Sequence, residues 1–247
     1  QMCIRDRLYV KTVGDNTVMT AAQMKSVADA VLALAAPATV DFSEVVYEST
    51  TFPNSFKSNA NLAGIVFPQN VTATASAAFQ KTGMTSVTVL KDISYGSNAF
   101  DSCASLVSVT VEEGVTEIGN YMFQNTKLTD VTLPNSVTKI GASAFNGCSL
   151  TTINFGQGVK TIENSAFQNC GELTEIILPD ATETLGQNAF GDCPKLAKIS
   201  LGKNMKTLEA YCFVGYSKGC PLLGDIICRA TTPPTLKDDY GTGPFGG

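Results

Sequence analysis

The chain has 247 residues, 44% hydrophobic and only 16% charged, which is enough apolar material to bury a core and too much for wholesale disorder. A net charge of -5, with 17 Lys and Arg and no basic run, argues against a surface that tracks phosphates. There is no His, which removes Ser/His/Asp and Cys/His catalysis and any His-ligated metal together.

Residues 1–7 match nothing that follows, and the expectation is a non-native leader outside the fold. The segment 8–37 reads as an N-terminal helical cap. Thr20-Ala-Ala-Gln23 is a capping-box pattern, and Met24, Val27, Ala28, Val31 and Leu34 follow at helical spacing until Pro37 ends the run. Such a helix would shield the first coil of whatever follows; as a membrane-surface helix it lacks a basic face, offering only Lys25. The longest small-apolar run, Ala28 to Ala38, is broken by Asp29 and Pro37, so no stretch suits a bilayer span, and no direct membrane insertion is expected.

From residue 38 the sequence repeats itself. Phe56, Phe79, Phe100, Phe123, Phe145, Phe167, Phe190 and Phe213 are separated by 23, 21, 23, 22, 22, 23 and 23 residues. The clearest copy of the frame is Leu128, Val131, Leu133, Pro134, Val137, Ile140, Gly141, Ala144, Phe145 and Cys148. Its first part, apolar at period 2, predicts a short strand with one buried face, and Pro134 or Pro179 stops that strand because proline cannot donate to a ladder. Gly119, Gly141 and Gly186 then predict a turn with positive φ leading into the Ala-Phe step. One coil of 21–23 residues cannot cover its own apolar faces, so its stability must come from its neighbours.

These residues resemble the BspA-like, treponemal-type leucine-rich repeats, over about residues 38–232. The departures are local: Glu112, Gly156 and Gly202 replace the Pro, Glu163 and Glu209 the Gly, and Ser55, Met122 and Cys212 the Ala. The 21-residue interval implies one residue deleted near Ile93 to Tyr95, and Gly215 to Gly219 an insertion before a last strand at Leu223 to Cys228. The fold expected is a repeat solenoid, a right-handed leucine-rich-repeat superhelix, mainly β with a parallel strand ladder and short helical turns. Its solenoid of about eight coils spans 38–228, and 229–247 forms a partial C-terminal cap or tail.

Cys103, Cys148, Cys170 and Cys193 each stand three residues after the Phe, with Thr126 in the same slot and Cys220 filling it after the insertion. Such a column reads as small buried side chains. It contains no paired Cys-x-x-Cys for a metal, although a Cys148–Cys170 disulfide stays open. Acids are spread without a recurrent facing pair, and the Gly241-Thr-Gly243-Pro-Phe-Gly246 match to a dinucleotide motif has no room for the helix it needs. No catalytic, cofactor or metal residue is expected.

The informative positions are the outward residues of the strands. One row is Val66, Thr88, Thr110, Thr132, Asn154, Ile177, Ser200 and Ile227; the other is Gly64, Ser86, Ser108, Asp130, Thr152, Glu175, Lys198 and Asp225. Asp130, Thr132, Thr152, Asn154, Glu175, Ile177 and Lys198 are the candidate partner-binding residues. Threonine also suits a parallel ladder without any partner. The family resemblance implies a cell-surface or secreted protein engaged in adhesion; with the composition and residue pattern above, the expectation is a non-enzymatic monomer with a protein or glycan ligand on the strand face and no nucleic acid. The other reading is a structural spacer that presents a further domain.

Overall fold

Alternating residues such as Asp130-Val131-Thr132 become short strands, because one central β-branched side chain can point inward while its neighbours face solvent. In the computed structural model, which describes residues 3–4, 7–11, 18–214 and 219–237, these strands stack into a parallel β-solenoid of about eight turns. The face strands are Leu62–Val66, Ser86–Val89, Ser108–Val111, Asp130–Thr132, Thr152–Asn154, Glu175–Ile177, Lys198–Leu201 and Asp225–Cys228. Val131, Ile176 and Ile199 at their centres are buried. A second ladder of six two-residue strands runs along the coils from Glu117–Ile118 to Thr235–Leu236, so part of the expected C-terminal tail adds a strand to it.

Around each Phe the chain makes a run of turns. Two residues before and after the ring, the backbone enters the left-handed region: Ser143 and Gly147 flank Phe145, Ser165 and Asn169 flank Phe167, and Asn188 and Asp192 flank Phe190. These left-handed residues, and the Phe between them, donate their N–H to the next coil, as in Ser143 N–H to Asn164 O (3.0 Å), Phe145 N–H to Ala166 O (2.8 Å) and Gly147 N–H to Gln168 O (2.9 Å). The residues between them donate three positions back, as Ala144 does to Gly141. Repeated left-handed residues stop any helix from propagating. The expected short helical turns are therefore stacked turns, and Ala21–Leu32 is the sole helix among the described residues.

The positive φ expected at Gly119, Gly141 and Gly186 is not found, since the left-handed residues lie two positions further on. Gly141 and Gly186 are needed for space instead. A Cβ on Gly141 would lie 2.9 Å from Ile118 O, and one on Gly186 would lie 2.6 Å from Asn164 N.

The rings form a column. Phe100, Phe123, Phe145, Phe167 and Phe190 stack face to face with centroids 5.2–5.6 Å apart. At the N-terminal end Phe52 lies between Phe56 and Phe79, at 5.9 and 5.7 Å, so the column takes in a ring outside the repeat frame. The buried thiols occupy a carbonyl beside this column. Cys148 donates its S–H to Phe123 O (3.1 Å), Cys170 to Phe145 O (3.3 Å) and Cys193 to Phe167 O (3.3 Å), each reaching one coil back. These cysteines are free thiols. Burial pushes Cys148 up to about 11 and Cys193 up to about 12, so both stay protonated at neutral pH.

The helix Ala21–Leu32 begins at a formed capping box, Thr20 N–H to Gln23 Oε1 (2.8 Å) and Gln23 N–H to Thr20 Oγ1 (3.3 Å). Met24, Ala28 and Val31 are buried, while Leu34 lies beyond the helix and is exposed. The first coil caps its far end: Asn59 Nδ2 donates to Ala28 O (2.8 Å), and Asn61 Nδ2 to Leu32 O and Leu34 O (both 2.9 Å). Ahead of the helix, Arg7–Tyr9 runs parallel to Ala38–Asp41 with Leu8 buried, and Cys3–Ile4 pairs antiparallel to it. The residue 7 boundary expected for the leader thus falls inside a strand. The Gly-rich motif at 241–246 and most of the insertion at 215–219 lie outside the described residues.

Candidate binding face

The seven candidate residues share one face of the solenoid, in two groups. Asp130 stands beside Thr152 and Thr132 beside Asn154, in register across paired strands. Glu175 stands beside Lys198, and Ile177 beside Ser200. All but Lys198 are exposed, Lys198 being half-buried, and the Ile177 side chain is 59% exposed in the middle of an otherwise regular strand. Asn154 Oδ1 accepts from Gly156 N–H (3.1 Å), which turns the amide toward the strand end.

Glu175 and Lys198 pair with each other, 2.7 Å apart, and the Glu175 carboxylate holds the Lys198 ammonium above the ordinary lysine range. They are one rung of a wider arrangement. Glu172 with Lys195, Glu175 with Lys198, Asp180 with Lys203 and Glu183 with Lys206 all join the same two neighbouring coils, at 2.6–2.8 Å, acid on the earlier coil and lysine on the later. Lys203 and Lys206 hold Asp180 and Glu183 below the ordinary carboxylate range. Most of the charge expected to mark the C-terminal part of the face is therefore engaged between coils.

Between the two groups the ladder is interrupted, as it also is between Leu62–Val66 and Ser86–Val89 and between Ser108–Val111 and Asp130–Thr132. Among the described residues, no strand pairing joins Thr152–Asn154 to Glu175–Ile177, although each continues on its other side. A groove of about 410 Å³ opens over the ends of these two strands, floored by Ile153, Phe155 and Leu178 and rimmed by Asn154, Gln157 and Ile177. Gly156, at φ +61°, stands where other coils have Pro134 or Pro179, so one wall lacks a ring. At the groove's end Arg229 reaches across two coils: its Nε donates to Leu201 O (3.2 Å) and its Nη2 to Leu178 O (3.0 Å), with Asp180 Oδ1 also 3.2 Å away.

The frame marks Gly156 as a departure, but Arg229 follows the last strand and nothing in its spacing points 51 residues back to Leu178. Among the described residues, no group of three or more His, Cys, Asp or Glu side chains is placed to hold a metal ion. No helix there is long and apolar enough to cross a membrane.

No curated protein matches the chain. Among solved structures, a leucine rich cell surface protein from Faecalibacterium prausnitzii is 23% identical with a TM-score of 0.54; the match covers 78% of this chain and 60% of that one. A T. pallidum leucine rich repeat protein is 20% identical over 76% of this chain and 73% of its own, with a TM-score of 0.41. A leucine-rich repeat protein from Bacteroides ovatus is 17% identical over 76% and 72%, at a TM-score of 0.33. At 23% identity the likeness to the F. prausnitzii protein concerns the fold alone. The family described as the BspA type leucine rich repeat region matches residues 38–95 and 93–219 in six copies, and by that match, on the frame that builds the Phe column and the face, the chain belongs to the BspA-type leucine-rich-repeat family.

Proposed function

We propose that the chain is a non-enzymatic binding module of a bacterial cell-surface or secreted protein, that its ligand is a protein, and that the ligand sits on the strand face in adhesion. The observation that carries this reading is the surplus on that face. A regular ladder needs only its inward side chains to stack, yet Asp130, Thr132, Thr152, Asn154 and Ile177 stand outward and exposed, with an isoleucine where solvent alone would favour a polar residue. Ile227, 45% exposed in the same row, adds to the apolar character. The surface location rests on the likeness to the F. prausnitzii cell surface protein and on the family.

The test uses the purified chain against immobilised host-matrix proteins and bacterial surface extracts. The double variant Asn154→Lys/Ile177→Lys, at unchanged melting temperature, is expected to lose the binding that the parent shows. Full binding by the variant would remove the face from the account. If the parent binds nothing, the spacer reading gains.

A further inference from the structure

Resting on the reading of the face as a protein-binding surface, we infer that the groove over the ends of Thr152–Asn154 and Glu175–Ile177 is its anchoring subsite, taking an extended peptide segment of the partner. That segment carries an apolar side chain and, two residues along, a carboxylate.

Three features converge on this occupant. First, the groove is lined by two successive runs of chain, Ile153 to Gln157 on one coil and Ile177 to Asp180 on the next, with Arg229 beyond them, an elongated lining that suits an extended segment. Second, the floor is apolar and Ile177 projects beside it, which suits one aliphatic or aromatic anchor. Third, the charge at the groove's end is unbalanced. Asp180 meets two cations, Lys203 at 2.8 Å and Arg229 at 3.2 Å, which leaves a surplus positive charge in a chain whose net charge is -5. The Arg229 guanidinium is already oriented by two backbone carbonyls, so little ordering remains when a carboxylate arrives. In an extended peptide, side chains two apart point the same way, which sets the spacing of anchor and acid.

The probe is the capped pentapeptide Thr-Val-Thr-Glu-Thr, titrated at millimolar concentration into isotopically labelled chain and followed by amide chemical shifts. Shifts confined to residues around Asn154, Gly156, Ile177 and Arg229 are expected. Replacing the peptide's Glu by Gln, or Arg229→Gln in the protein, should weaken binding about tenfold, the loss of one charge-assisted contact, and Arg229→Gln should abolish the preference for Glu over Gln. Ile177→Lys, at an exposed position, should remove the shifts without changing the fold. Absence of shifts, shifts elsewhere on the face, or equal affinity for all peptides overturns the proposal. If the groove fails while Asn154→Lys/Ile177→Lys still abolishes binding of whole proteins, the anchoring subsite falls and the face stands. If the peptide binds the groove but whole-protein binding survives that double variant, the face falls.

Discussion

A methyl group on Gly141 would meet Ile118 O and Asn120 N at 2.9 Å, whereas one on Gly119, in the same slot of the coil before, would find only Tyr95 O at 3.7 Å. Gly141→Ala is therefore expected to lower stability by about 1–3 kcal/mol through overpacking, and Gly119→Ala to stay within about 0.5 kcal/mol; urea midpoints measure both. Phe145, fully buried between Phe123 and Phe167, has little room to let the site collapse around a smaller side chain. Phe145→Ala should cost about 3–5 kcal/mol in the same measurement. The thiols give a pH prediction. In the folded chain Cys148 and Cys193 hold their protons up to about 11 and 12, while in the unfolded chain they release them near the ordinary thiol range. Above that range the unfolded state binds fewer protons than the folded one, so stability falls as pH rises toward the folded values. Chemical unfolding at rising alkaline pH should show the decline, and Cys148→Ala should reduce it.

At the scale of elements, much was legible and the reasons for the rest are specific. The helix Ala21–Leu32 follows from Thr20, Gln23 and the spacing of Met24, Ala28 and Val31, because capping and amphipathic period are local properties. Its docking was not, since Asn59 and Asn61 reach back about thirty residues to carbonyls that no pattern marks. Asn59 is buried at 3% exposure, so Asn59→Ala leaves Ala28 O without that donor and should cost about 1–3 kcal/mol. Hydrogen exchange should show the end of the helix opening first. The outward rows were likewise readable from alternation, and the seven candidates do share a face. Alternation cannot tell an exposed charge from an engaged one, however, and Glu175 and Lys198 belong to a run of ion pairs whose partners lie one coil away. The groove was hidden for a related reason: the repeat frame reports which side chains recur, while the groove depends on Arg229 reaching back across two coils to Leu178.

For the whole molecule, the period of the Phe series specified the architecture because every coil needs its neighbour to cover its ring, its thiol slot and its turn N–H groups. The column survives imperfections of the frame. Phe52 bridges Phe56 and Phe79 at one end, and Tyr95 packs against Phe100 in the shortest coil, at 5.6 Å. Stability thus draws on the inward columns, whereas the binding site proposed above draws on the outward rows. The most direct test is a stability scan of every position from 38 to 214, reading protease resistance of single variants. Sensitivity should recur with the coil, peaking at the Phe, Ile, Leu and thiol columns and at Gly141 and Gly186, while Asp130, Thr132, Thr152, Asn154 and Ile177 tolerate change. A scan without that period, or one in which those outward positions are as sensitive as Phe145, would contradict the account.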